Sequence, residues 1–468
     1  MQNIADYNIS LNKKSIFSMK KKNLIVRIEI QKRDLEGRFL LSLIAALNGY
    51  RVFLGNASQL EWAIKNKFIK ESIIIENSVA KAKTSYLNFL VQNKNKVFSI
   101  DEEGGLVYED YSDFLKLRSS EKNVIKSKKI FCWGKFDYSA WKKKYKKFSK
   151  KFIITGSPRA DLWNKKISIC YKKDVDKIKK KFGKFILITT NFVYGNSLIN
   201  VEKQIKTRVI RDFVKSDKNI KTEMNFFNED RKMFKEFVDL ITYLGKNLKK
   251  YKIILRPHPV ENEKSYKNKF KNNNKIIIDN SGYIVPWLKA SSVVIQNGCQ
   301  TGLEAYGLKR PVISYVPFNR GKNLPKGISK TVPALLSKRI RNKKNLLNFL
   351  SEERHLKIKN FNKNIFKKRF SISKQLASEK IIKVLNEYDN EKTTFNINSI
   401  SFLIKDIKNL FRKILNYFQQ SKLYLKKNEP IKVSELLNQQ ERFAKYDSNF
   451  NKIKIRKLYD GLFCLYLK

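Results

Sequence analysis

The chain has 468 residues, 42% of them hydrophobic. That is more than one hydrophobic core supports and too apolar for a disordered polymer, so two domains with extensions are expected. Lysine and arginine number 99 against 42 aspartates and glutamates, a formal net charge of +57; the excess is mostly lysine spread along the whole chain, which reads first as a solvated surface, then as attraction to an anionic membrane face, and least as a specific nucleic-acid site.

Residues 1–22 read as a flexible leader, with Met19 ahead of three lysines as an alternative start to Met1. They lack the continuous apolar stretch of a signal peptide, and no later apolar run is long enough to span a bilayer, so a cytoplasmic location is expected. Two histidines exclude a multi-histidine metal centre. The four cysteines, Cys132, Cys170, Cys299 and Cys464, have no zinc or disulfide spacing, so no metal is expected.

Leu24 to Ile30 predicts a strand, Asp34 to Asn48 a helix closed by Gly49, and Arg51 to Gly55 the next strand, a β-α-β unit. Short strands follow at 73–75, 96–100, 129–133 and 152–155, each leading into a polar turn. A lysine-rich stretch, 164–184, separates this half from a second. There Phe185 to Thr190 restarts the pattern, with strands at 252–255, 275–279, 292–296 and 311–315 and helices at 226–249, 284–290 and from 301. Alternating strands and helices imply parallel sheets covered on both faces. The expected organisation is a leader 1–22, an N-terminal Rossmann-like acceptor domain 23–165, a C-terminal Rossmann-like donor domain 182–340 and a helical, lysine-rich extension 341–468. In that extension, Phe402, Leu403, Ile407, Leu410, Phe411, Ile414, Leu415 and Phe418 form an apolar stripe flanked by Lys405, Lys408, Arg412 and Lys413. Packing against the body and lying on a membrane surface both fit this stripe.

Ligands of open α/β sheets bind beyond the carboxyl ends of strands. After Leu255 comes Arg256-Pro257-His258-Pro259, a turn held by two prolines that presents a guanidinium and an imidazole. After Gln296 comes Asn297-Gly298-Cys299-Gln300-Thr301-Gly302, opening a helix whose free amides favour a phosphate, with Glu304 one turn in as an acceptor for ribose hydroxyls. In the first half, strand 96–100 runs into Asp101-Glu102-Glu103-Gly104-Gly105, three carboxylates in a chain where carboxylates are scarce. One of them is a candidate base or nucleophile, with His258 as a further catalytic candidate. Arg159 and Asp161, after strand 152–155, either line the cleft or pair at the domain junction. Glu29, Arg33, Asp34, Glu36 and Arg38 cluster at the first strand–helix turn, as an acceptor site or as an internal ion-pair cluster.

The motifs from Arg256 to Pro259, from Ile284 through Ser292 to Gly298, from Thr301 to Ala305 and from Pro311 to Ile313 resemble the donor domains of glycosyltransferase-B enzymes. Capsule polysaccharide and Kdo transferases and glycerophosphotransferases are among these. With Glu29, Arg33 to Glu36, Asp101 to Gly104 and Gly156 to Asp161, residues 23–335 resemble a bacterial family of surface carbohydrate biosynthesis proteins. The phosphate loop departs from that family in carrying Cys299 and Gln300 where serine or threonine is usual. The resemblance implies two doubly wound domains facing a cleft and no permanently bound cofactor. It also implies sugar transfer from a CMP- or UDP-linked donor to a glycan or lipid-linked acceptor at the inner face of the plasma membrane. A nucleotide-sugar epimerase, a polyol-phosphate transferase and a non-catalytic basic scaffold remain alternatives.

Overall fold

The computed structural model describes residues 21–104, 111–210, 217–318, 332–358, 362–388, 392, 395, 399–419 and 431–467. The expected leader, apart from Lys21 and Lys22, and Gly105 lie outside these residues.

Two sheets carry the chain. The first is built from β1 (Asn23–Ile28), β2 (Arg51–Asn56), β3 (Ile73–Glu76), β4 (Lys96–Ile100), β5 (Ser127–Cys132) and β6 (Phe152–Ile154), all parallel. The second is built from β7 (Phe185–Thr189), β8 (Lys252–Arg256), β9 (Ile276–Ile278), β10 (Val293–Gln296), β11 (Val312–Tyr315) and β12 (Lys338–Ile340), also all parallel. The last strands, β13 (Ile453–Tyr459) and β14 (Leu462–Leu467), form an antiparallel hairpin that joins the first sheet along β2.

Spatial order in the first sheet is β13-β14-β2-β1-β3-β4-β5-β6, and in the second β12-β11-β10-β7-β8-β9. The chain therefore reverses direction across the sheet between β1 and β3 and again between β7 and β10. Such reversals open a crevice at the strands' carboxyl ends. The strands are apolar on both faces, as helix-covered parallel strands must be. Ile186, Ile188, Ile253 and Leu255 face one cluster while Phe185, Leu187 and Ile254 face another.

The helices used below are α1 (Gln31–Leu47), α2 (Ala57–Lys65), α3 (Pro158–Asp161), α4 (Lys172–Phe182), α5 (Asp217–Asn247), α6 (Ile284–Ala290), α7 (Gln300–Gly307), α8 (Ala377–Asn386), α9 (Ser399–Gln419) and α10 (Val433–Phe443). Every residue of α1 from Asp34 to Ala46 is buried. One side lies on β1, β2 and β14, and the others are covered by α3, α8 and α10. This explains why Phe39 to Ala46 has almost no polar face: a helix apolar all round must be enclosed. At Gly37 a β-carbon would come within 2.9 Å of the Pro158 and Arg159 backbone, so only glycine lets α3 pack this closely.

Two features depart from the sequence reading. The stretch 164–184 is a packed segment rather than a spacer: it buries Ile167, Tyr171, Val175 and Phe182 in the core that runs from α1 to α6. The extension is not helical to its end, because it closes in the β13–β14 hairpin. Ile453, Ile455 and Lys454, Arg456 alternate as a half-covered strand does, Leu462 to Leu465 is buried throughout, and Asp460-Gly461 makes the two-residue turn with Gly461 at φ +80°.

The end of β3 carries a buried charge cluster. Glu76, fully buried, accepts from Arg27 Nη1 at 2.8 Å and from Lys83 Nζ at 3.0 Å. Burial opposes its ionisation, but the two cations and their hydrogen bonds overcome it and hold its carboxyl down at about 2. Lys83 is itself pushed down by burial and by neighbouring Arg27. A folded value near 2 against an ordinary 4.5 means stability that is present above pH 4.5 and lost as pH falls toward 2. Glu76→Gln is expected to cost about 3 kcal/mol at neutral pH and to flatten the acid limb of stability below about pH 4.5. Urea titrations at several pH values check both.

Candidate functional site

The second sheet's reversal brings two loops together, one after β7 and one after β10, with the turn after β8 beside them. A cavity of about 110 Å³ opens there. Thr189, Thr190, Arg256, Pro257, His258, Pro259, Cys299, Gln300, Thr301 and Glu304 line it from the second half, and Ile30, Lys32, Arg33 and Arg159 close it from the first. The structure thus brings the Arg256–Pro259 turn, the start of α7 and Arg159 around one space.

Three side chains build this space by satisfying backbone. Gln296, fully buried at the end of β10, accepts from Gly298 N and from Cys299 N at 2.9 Å, and donates to Ser337 Oγ at 3.1 Å. The loop can close this tightly because Gly298 has φ +92°. Arg256 donates Nη1 to the carbonyls of Asp279 and Ser281 at 2.9 and 2.8 Å and Nη2 to Gly282 O at 3.2 Å, and its guanidinium lies 4.8 Å from the Trp287 ring centre. Burial pushes it down to about 10, partly offset by Asp279. Three of its five N–H donors are therefore spent on the 279–282 turn. Glu261, fully buried, accepts from Thr190 Oγ1 at 2.9 Å, Phe192 N at 3.0 Å, His258 N at 3.1 Å and Tyr266 Oη at 2.7 Å. It locks the loop after β7 to the Arg256–Pro259 turn, and burial raises its pKa against those hydrogen bonds.

The surface that faces the cavity is largely apolar, with polar side chains at the start of α7, on β7 and on α3. Thr301 and Thr189 join hydroxyls at 2.7 Å. Gln300 Nε2 and Arg159 Nη1 are buried with no hydrogen-bond partner. Leaving such donors dry costs about 1–3 kcal/mol each, so both side chains lack an acceptor that a change at this site could supply. Gln300 and Thr301 form the first turn of α7, whose N-terminal dipole end adds to the same preference. His258 lines the cavity half-buried, with Nδ1 accepting from Val260 N at 3.4 Å. Asn297 and Gly298 do not line the cavity; the Asn297 amide is buried with neither end hydrogen-bonded.

The cleft is closed. Arg159 on α3 pairs with Glu304 on α7, Nε to Oε1 at 3.1 Å, both side chains buried. Lys32 Nζ donates to Asn280 O at 2.9 Å from the other side. Glu304 therefore meets a guanidinium here, where a ribose was expected.

The carboxylates of the first half are sorted by their partners. Asp101 pairs with Arg118 through two contacts of 2.9 and 3.0 Å, and its carbonyl accepts from Trp133 Nε1 at 2.7 Å. Glu102 pairs with buried Arg38 at 2.5 Å. Burial raises both carboxyls, opposed chiefly by these arginines. Neither lines the cavity. Glu103, 41% exposed, accepts from Arg33 Nη1 at 3.0 Å, and Glu29, 44% exposed, from Arg33 Nη2 at 3.2 Å. Arg33 lines the cavity, so among the described residues Glu29 and Glu103 are partly exposed carboxylates one side chain away from it. Asp161 turns away from the cleft: it accepts from Ala377 N at 2.7 Å, Ser378 N at 2.9 Å and Ser378 Oγ at 2.7 Å, capping α8, and burial pushes it up to about 7.

Thr189, Thr190, Lys32, Glu261 and Gln296 escaped the sequence reading. The threonine pair ends the first strand of a new half, which was the available signal. Glu261→Ala leaves five donors, Asn196 Nδ2 among them, without this acceptor and is expected to cost about 3–5 kcal/mol in chemical denaturation, whereas His258→Ala costs under about 1 kcal/mol.

No family model matches the chain, and no curated protein matches it in sequence. Solved structures do. The wall teichoic acid polymerase TagF is similar at 11% identity over 81% of this chain and 90% of that one, with a TM-score of 0.52. The UDP-GlcNAc 2-epimerase of Methanocaldococcus jannaschii in complex with UDP-GlcNAc and UDP is similar at 15% identity over 78% and 99%, TM-score 0.47. That of Neisseria meningitidis bound to UDP-GlcNAc is similar at 13% over 79% and 100%, TM-score 0.46. The likeness is one of fold: two doubly wound halves facing a cleft, of glycosyltransferase-B type.

Proposed function

We propose that the protein is a metal-independent, glycosyltransferase-like enzyme of cell-surface polysaccharide biosynthesis. It transfers a sugar from a CMP- or UDP-linked donor to a glycan or lipid-linked acceptor at the inner face of the plasma membrane. The observation that carries this reading is the pair of unpartnered buried donors, Gln300 Nε2 and Arg159 Nη1, beside the first turn of α7 at the reversal between β7 and β10. A diphosphate or monophosphate supplies the acceptors those groups lack. The shared fold of a wall teichoic acid polymerase agrees with a surface-glycan role.

In this reading the nucleotide replaces Arg159 as the partner of Glu304, whose carboxylate then accepts ribose hydroxyls while Arg159 turns to phosphate. Thr189, which accepts from the Thr301 hydroxyl, contributes a hydroxyl donor. Binding sites for ligands of this size usually enclose several hundred cubic ångströms, so the cavity of about 110 Å³ enlarges as the Arg159–Glu304 and Lys32–Asn280 contacts part. His258 reaches the sugar or phosphate from the rigid turn. Of the first-half carboxylates, Glu103 and Glu29 serve as base candidates, because Asp101 and Glu102 are neutralised in buried pairs. The acceptor approaches along the first half, by Glu29 and Arg33.

Calorimetric titration with UDP- and CMP-sugars tests the reading. The full chain is expected to bind at least one of them, with Gln300→Ala and Arg159→Ala each weakening binding about 10- to 100-fold. Product analysis then distinguishes the chemistry: a lengthened glycan fits the transferase, an altered free sugar nucleotide an epimerase, and a glycan bearing polyol phosphate the third alternative. Binding of no nucleotide, or of one equally well by both variants, contradicts the site.

A further inference from the structure

The stripe on α9 had two readings, packing or membrane contact, and the structure divides it between them. Phe402 is 2% exposed and packs 5.0 Å from the Phe68 ring and 6.2 Å from that of Trp62. Lys405, three residues on, lies buried with its Nζ 5.0 Å over Trp62, and Asn409 is buried on the same side. The helix is thus seated on the outer face of the first half through Phe402, Lys405 and Asn409. The larger apolar residues point away: Leu403, Ile404 and Ile407 are each 47% exposed, Leu410 58% and Phe411 62%. Their spacing of i, i+1, i+4, i+7 and i+8 places them on one side of the helix.

Scattered apolar side chains on a protein surface are ordinary, but five large ones on one helix face are not. The ground around them is basic. Lys408 is exposed on the same helix, Lys65 and Lys67 are exposed at the end of α2 beside Phe68, and Lys454 and Lys457 are exposed on β13, against which α9 packs. Glu61 is exposed nearby, and Asp406 is occupied by the backbone N–H of Asp460 at 2.6 Å. Among the described residues no helix is long and apolar enough to cross a membrane.

We propose that α9 is a membrane-docking helix: Leu403, Ile404, Ile407, Leu410 and Phe411 enter the acyl boundary of an anionic bilayer while the surrounding lysines bind its headgroups. An apolar face ringed by lysine matches that surface in both its parts, hydrocarbon below and negative charge above. A second copy of this chain matches only the first, since pairing the faces brings two lysine rims together. The device sits on the first half, away from the nucleotide cavity, and stands whether or not the transferase reading does.

Flotation of the full chain with vesicles of phosphatidylcholine alone or with added phosphatidylglycerol tests it. The protein is expected to float with the anionic vesicles, to float poorly with the neutral ones, and to be released by high salt. The double variant Leu410→Glu, Phe411→Glu is expected to lose at least about tenfold in bound fraction with an unchanged thermal melt, both side chains being exposed. Two results overturn the proposal: equal flotation of the double variant, or a dimer in light scattering that the double variant converts to monomer. Absence of flotation by the unaltered chain at low salt overturns it as well. Nucleotide binding, measured on the same variant, is expected to stay unchanged, which separates this outcome from failure of the donor site.

Discussion

The reversal of strand order between β7 and β10 is the constraint from which the rest of the site follows. Neighbouring parallel strands whose connections leave in opposite directions part at their carboxyl ends, and the loops there must hold an open crevice with their own backbone groups unpaired by the sheet. The chain answers with buried side chains aimed at backbone. Gln296 gathers the amides of Gly298 and Cys299, Arg256 gathers the carbonyls of 279–282, and Glu261 gathers Phe192 N and His258 N together with two hydroxyls. Once these three are committed to structure, the side chains left along the cavity are Thr189, His258, Gln300, Thr301 and, from across the cleft, Arg159.

The second constraint is α1. A helix buried on every side needs more cover than one sheet provides, and α3, α8 and α10 supply it from distant parts of the sequence. That enclosure ties the halves together. Asp161 caps α8 across more than two hundred residues, Arg442 on α10 reaches Glu36 on α1 at 3.1 Å, and α3 carries Arg159 to Glu304. The cover over α1 and the closure of the cleft are the same piece of architecture, so motion of the first half against the second works directly on the Arg159–Glu304 pair.

Much of this was legible in the sequence. The strands could be placed because parallel strands buried on both faces read as unbroken apolar runs, and the loops because proline and glycine mark them. The roles of individual side chains were less legible, since each depends on a partner remote in sequence. Arg256 looks like a phosphate ligand until the 279–282 carbonyls are seen to take its donors. Asp161 looks like a cleft residue until α8 arrives at it. Asp101 and Glu102 look like free carboxylates until Arg118 and Arg38 are placed beside them. Glu261 gave no sign in a polar turn, because its importance lies in five donors from three segments. The closing hairpin is a different matter: Asp460-Gly461 between two apolar runs is a hairpin signal, and the helical character of the preceding extension masked it.

The central claim is that the nucleotide seats on the first turn of α7 against the loop after β7. Hydrogen–deuterium exchange of the full chain with and without saturating UDP or CMP tests it most directly, because it reads the backbone amides of that turn without altering any side chain. Slowed exchange is expected in peptides covering 297–304 and 189–192. Protection confined to other segments, or none in either nucleotide, contradicts it.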